Sequence, residues 1–174
     1  GTVPGSGDHA VLPAPANMAD NYVVTANEAI NVASLTVGSD TVGTDCLATF
    51  ESKTNGIHQI GAGGLVVKAG GKMTHTALST TAKTFADECY KLNLQVNGNV
   101  TIAADGTIDV TSRGFFGTVT LPGSVTANGS HGGTRAVGGC YDSLIAPTNC
   151  GSRVETNKGG KKSPGGGVVR IDAT

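Results

Sequence analysis

Apolar and polar residues alternate along this chain in short runs of period two, the spacing of a half-buried strand and not of a helix. Tyr22-Val23-Val24-Thr25 opens the series, and Ile30-Asn31-Val32 and Ser34-Leu35-Thr36-Val37 follow. Leu47–Phe50, Ile57–Ile60, Leu65–Lys68 and Lys72–Thr76 continue it. Leu92-Asn93-Leu94-Gln95-Val96 is the clearest run, leading to Val100-Thr101-Ile102 and Ile108-Asp109-Val110, and Val168-Val169-Arg170-Ile171 closes the series. One stretch, Thr80–Tyr90, is compatible with a short turn of helix, although Thr81, Thr84 and Phe85 suit it only modestly.

The dipeptides Asn55-Gly56, Asn97-Gly98, Asp105-Gly106 and Asn128-Gly129 punctuate these runs. Each tolerates positive φ. They serve equally as hairpin tips between antiparallel strands and as corners where a chain bends without reversing. An internal echo favours corners. Leu65–His75 aligns with Val100–Val110, 35 residues on, matching Leu65 with Val100, Val67 with Ile102, Met73 with Ile108 and Gly71 with Gly106. Repetition at such a spacing is the mark of a solenoid. The expected fold is therefore all-β, a right-handed parallel β-helix, with a β-sandwich as the alternative. The 174 residues suit one domain: a strand-rich body over 1–113, then glycine-rich loops over 114–174 that return to a final strand. That second part holds 14 of the 27 glycines, yet its two cysteines and its strand-like end set it apart from a flexible linker.

Composition narrows the function classes. Aromatic residues are 4% of the chain and Trp is absent, so the core must come from aliphatic residues and Thr. Charged residues are 14%, against roughly 25% in an average domain. A net charge of −1 argues against a nucleic-acid partner, and no apolar run reaches the length of a membrane span. Cys46, Cys89, Cys140 and Cys150 lack metal-site spacing, and an even count reads as two disulfides in an oxidising compartment. Of three pairings, Cys46–Cys89 with Cys140–Cys150 is expected, because the latter closes a short loop between glycine-rich flanks; four buried thiols are the alternative. The opening Gly1-Thr2-Val3-Pro4-Gly5 has neither the basic nor the apolar region of a signal peptide, which fits numbering from a cleavage site or a piece of a longer chain.

Three groups of residues together resemble a module of very large secreted bacterial surface proteins built from parallel β-helix repeats. Val3-Pro4-Gly5-Ser6-Gly7-Asp8, with Tyr22-Val23-Val24 and Ser34–Val37, resembles the opening of such a module. Leu65–His75 and Val96–Gly114 resemble its stacked rungs. Ser130-His131-Gly132-Gly133, Tyr141-Asp142-Ser143, Pro147, Gly151-Ser152 and Gly165–Ile171 resemble its glycine-rich signature. The chain departs from that pattern at Cys140, Cys150 and the basic run Lys158–Lys162. The resemblance implies a right-handed β-helix with a structural role at the cell surface, and no catalytic residues.

The chain shows no constellation with catalytic spacing, and no cofactor or metal is expected. His9, His58, His75 and His131 have no ligand spacing, and Gly61-Ala62-Gly63-Gly64 lacks the features of a phosphate loop. Asp87-Glu88 and Asp105/Asp109 are the carboxylates a polysaccharide-degrading β-helix enzyme would draw on, and Phe115-Phe116 reads as a packing plug. Asn99-Val100-Thr101 and Asn128-Gly129-Ser130 match the glycosylation sequon. Charge placement is more telling. Residues 1–112 carry five basic and ten acidic side chains, a net −5, whereas 113–174 carry seven and three, a net +4. The expectation is a secreted structural protein that polymerises head to tail, as a subunit or module of a bacterial fibre, sheath or surface layer, touching copies of itself or neighbouring modules. Alternatives are an adhesin or glycan-binding module and, behind it, the polysaccharide-degrading enzyme. Tyr141, Asp142, Lys158, Lys161 and Lys162 are the candidate contact residues for a subunit or a surface glycan.

Overall fold

In the computed structural model, residues 3–41, 45–78, 90–114, 148–151, 154–155, 162–163 and 165–174 are described. Their strands are β1 (His9–Leu12), β2 (Tyr22–Ala26), β3 (Asn31–Val37), β4 (Ala48–Ser52), β5 (His58–Val67), β6 (Gly71–His75), β7 (Leu92–Val96), β8 (Val100–Ile102), β9 (Thr107–Ile108), β10 (Val154–Glu155), β11 (Lys162–Ser163) and β12 (Val169–Ala173). A 3-10 turn at Met18–Asp20 is the one helical element among the described residues, which are otherwise all-β. The expected helical turn lies outside the described residues, apart from Tyr90. Two compact units divide the chain: Gly1–His75, Leu92–Asp109 and Arg170–Thr174 form the first, and Thr76–Lys91 and Val110–Val169 the second.

The first unit holds two sheets. One runs β1-β3-β5-β7-β12, with β8 also on β5; the other runs β2-β4-β6-β9. The registered pairs of both sheets are parallel. Parallel neighbours need a crossover between them, and here a strand of the other sheet supplies it. The chain therefore visits the two sheets in turn, and each passage through both is called a circuit below. Parallel pairing departs from the sandwich alternative, whose sheets are antiparallel. Asn55-Gly56 joins β4 to β5, and Asp105-Gly106 joins β8 to β9, in each case between sheets. Asn97-Gly98 separates β7 from β8, which both lie against β5. The first two are therefore corners between sheets and the third a break within one sheet, and none of the three is a hairpin tip. Asn128-Gly129 lies outside the described residues.

Equivalent side chains stack from one circuit to the next. Ala10, Leu35, Leu65 and Val100 are successive partners, as are Leu12, Val37, Val67 and Ile102. In the second sheet Val24, Phe50, Met73 and Ile108 form one row, and Ala26, Ser52 and His75 another. The 35-residue echo is thus the register itself, since Leu65 pairs with Val100 and Met73 with Ile108. The buried cluster is aliphatic with Phe50 as its one aromatic member: Leu35, Ile60, Leu65, Val67, Met73, Leu92 and Leu94 are fully enclosed within it.

The corners need glycine for a definite reason. Gly38 has φ +96°, and a Cβ there would stand 2.6 Å from the Ala69 carbonyl oxygen. Its own N–H donates to the Leu12 carbonyl at 2.8 Å, and the same bond recurs one circuit on, from Lys68 N–H to Val37. β5 also carries two extra residues relative to β3, because Val32 pairs with Ile60 but Ser34 with Gly64. The run Gly61-Ala62-Gly63-Gly64 fills that irregularity.

In the second unit β10 and β11 pair antiparallel, Val154 opposite Ser163. Three glycine segments are tied by backbone bonds: Gly114 N–H to Gly165, Gly151 N–H to Gly166 and Gly167 N–H to Val110, at 2.7, 2.8 and 2.9 Å. A Cβ on Gly114 would run into the carbonyls of Gly151 and Gly166. Close backbone approach is one reason for glycine at these positions.

Candidate functional site

Two features of the first unit stand out chemically: a buried Ser–His pair in the interior and an open first circuit. His58 begins β5 and is wholly buried. Its Nδ1 accepts the Ile30 backbone N–H at 3.2 Å. A backbone N–H is always a donor, so the ring proton sits on Nε2 and is donated to Ser52 Oγ, 2.8 Å away. Phe50 meets the ring edge-on, with centroids 5.4 Å apart. Burial lowers the His58 pKa to about 4, so the ring is neutral near pH 7. Ser52 is also fully buried. The pair has the chemical types of a nucleophile and a base, but both are enclosed in the core. What it does there is hold the corner after β4 onto Ile30.

The first circuit differs from those stacked on it. Among the described residues no strand pairs with the outer edge of β1 or of β2. At the inward positions, Ala10 stands in the row of Leu35 and Leu65, Val24 in the row of Phe50 and Met73, and Ala26 in the row of Ser52 and His75. The smaller side chains leave a cavity of about 380 Å³, lined by Ala10, Leu12, Val24, Ala26, Leu35 and Phe50 among others. Val3, which is 74% exposed, Pro4 and Glu28 also line it. Five of the nine exposed large apolar side chains of the described residues belong to this circuit: Val3, Val11, Met18, Val23 and Val24. Residues 1–30 carry Asp8, Asp20 and Glu28 and no Lys or Arg, and all three carboxylates are exposed.

The circuit is nonetheless firmly anchored. Tyr22 donates its hydroxyl to the Pro13 carbonyl at 2.7 Å, and partial burial raises its pKa. Asn21 bridges to the next circuit, donating to Asp45 O at 3.0 Å and accepting from Leu47 N–H at 2.6 Å. Asp8 accepts the Gly5 N–H at 2.7 Å, and His9 Nδ1 lies 2.7 Å from Ser34 Oγ.

The residues expected to carry function are distributed differently. Cys46 and Cys150 are buried, and Cys150 Sγ sits 3.6 Å from the Tyr90 carbonyl oxygen. Cys89 and Cys140, their expected partners, lie outside the described residues, as do Tyr141, Asp142, Lys158 and Lys161. Lys162 is described as a residue of β11, opposite Glu155. Asp105 is exposed at its corner, whereas Asp109 is held 2.7 Å from Lys72 Nζ. Asp87-Glu88, Phe115-Phe116 and His131 lie outside the described residues. Among the described residues no group of three or more His, Cys, Asp or Glu could hold a metal ion, and no helix is long and apolar enough to cross a membrane.

No family model matches the chain, and no curated protein and no solved structure matches it. Of the first circuit's two strands, the apolar pattern marks β2 through Tyr22–Thr25 but misses β1, His9-Ala10-Val11-Leu12, which is short and bounded by Pro13. The available signal was an alignment of His9–Leu12 with Ser34–Val37, which places Ala10 opposite Leu35.

Proposed function

We propose that this chain is a right-handed parallel β-helix that serves as a self-assembling structural subunit or module of a secreted bacterial fibre, sheath or surface layer. Alternation between two parallel sheets, with inward rows in register, supports the β-helix reading, and right-handed crossovers are the strong default for parallel strands. The observation that carries the assembly reading is the open first circuit: two parallel edges without a strand partner among the described residues, beside a concentration of exposed apolar side chains. An unpaired edge is a template for another strand. A contact between unlike faces that does not close into a ring builds a filament. Opposite net charges on residues 1–112 and 113–174 favour such a head-to-tail contact.

Negative-stain electron microscopy of the purified, unreduced protein at low and high salt tests this reading. Regular fibres or sheets are expected at low salt. Uniform monomers at every salt concentration would overturn self-assembly.

A further inference from the structure

We infer that the cavity of the first circuit is a socket, filled on assembly by apolar side chains of a second copy of this chain. The inference rests on the self-assembly reading and names its contact. Protein interiors are close-packed, with few voids larger than a water molecule. A cavity of about 380 Å³ well exceeds the roughly 150 Å³ left in a core by an engineered truncation. It is written into the sequence: Ala10, Val24 and Ala26 are each smaller than the residue stacked against them, Leu35, Phe50 and Ser52. Every described circuit after the first has larger side chains at the first two of those positions. A strand laid parallel to β1 or β2 at the spacing of the existing rows would place its inward side chains over Ala10, Leu12, Val24 and Ala26. Large residues there would restore the packing that the first circuit lacks.

Charge selects the occupant. The socket lies in a stretch with three exposed carboxylates and no lysine or arginine over residues 1–30. Two such faces repel one another, which disfavours a symmetric head-to-head contact. The same chain carries its basic excess, +4, in residues 113–174. A second copy presenting that part meets this acidic stretch, and Glu28 on the cavity wall, with opposite charge, and steering of this kind fixes orientation. Apolar fit then supplies the affinity, and Glu28 on the cavity wall the preference for a basic partner face.

Two variants of the full chain test the socket. Ala10→Leu fills the cavity from within, in the size of its neighbours in the row, Leu35 and Leu65. Glu28→Lys reverses one charge on its wall. Sedimentation velocity against concentration at low salt reads assembly, and a thermal melt reads folding. For Ala10→Leu the critical concentration is expected to rise at least about tenfold, which corresponds to about 1.4 kcal/mol, with a melting midpoint no lower than that of the parent. If Ala10→Leu does not fold, Glu28→Lys carries the test, with the same rise expected at low salt and a smaller one at high salt. Parent-like assembly by a folded Ala10→Leu, or by Glu28→Lys where Ala10→Leu does not fold, overturns the socket while leaving self-assembly standing. A parent chain that stays monomeric throughout overturns both.

Discussion

His58 is the residue whose chemistry most directly shapes stability. Its folded pKa, about 4, lies below the ordinary 6.5. The folded state therefore binds a proton less readily than the unfolded chain does. Its contribution is fully present above pH 6.5 and is lost as pH falls towards 4. Between pH 7.5 and 5 the expected loss is about 2 kcal/mol. Urea unfolding at the two pH values checks this, and His58→Gln should show that much less pH dependence than the parent. Equal dependence in both proteins would assign the effect to other groups. Gly38 makes a conformational contribution instead. At φ +96°, with a Cβ only 2.6 Å from Ala69 O, Gly38→Ala combines left-handed strain with a backbone clash. About 2 kcal/mol of lost stability is expected in the same assay, against a few tenths for alanine at Gly7, where a Cβ meets nothing within 4 Å.

The elements draw their stability from rows, so the cost of truncation depends on where in a row a residue stands. Leu65 is fully buried between Leu35 and Val100. Leu65→Ala is expected to cost roughly 3 kcal/mol in urea unfolding, because packed neighbours on both sides cannot close the hole. Leu12→Ala should cost less than half of that, since Leu12 already borders an open cavity. Equal costs would mean that the first circuit is packed as tightly as the rest. These rows also show how much of the fold was legible beforehand. Leu92–Val96 stood out as a strand because its alternation is clean and buried on one side, and Val100–Ile102 because its alternation is clean, although Val100 is half-buried and Ile102 exposed. Leu65 and Met73 announced their partners because the echo repeats apolar size as well as position. β5 looked like two strands because its irregularity is filled by glycines, which carry no pattern. β1 was invisible because two alternating apolar residues, one of them Ala10, carry too little signal alone. The socket was equally hidden: it is a difference in size between Ala10 and Leu35, and only the register shows that they are neighbours.

For the whole molecule the decisive quantity is the balance of charge and apolar burial at the proposed contact, and the two respond oppositely to salt. With −5 on residues 1–112 and +4 on residues 113–174, charge attraction dominates at low ionic strength, where the screening length is about 30 Å at 0.01 M, and fades near 1 M, where it is about 3 Å. Apolar burial does not weaken with added salt, and sulfate strengthens it. Head-to-tail assembly steered by charge should therefore be favoured at low salt and should give way on addition of sodium chloride. The basic focus Lys158, Lys161 and Lys162 lets the two contributions be separated. Changing all three lysines to glutamate turns the +4 of residues 113–174 into −2, so both parts of the chain become acidic. The expected outcome is loss of assembly at low salt with partial recovery at high salt, where repulsion is screened and the apolar socket still fits. Sedimentation velocity across a salt series decides it. Assembly of the parent that grows with salt, together with an indifferent triple variant, would assign the contact to apolar burial alone and remove charge from the choice of partner face.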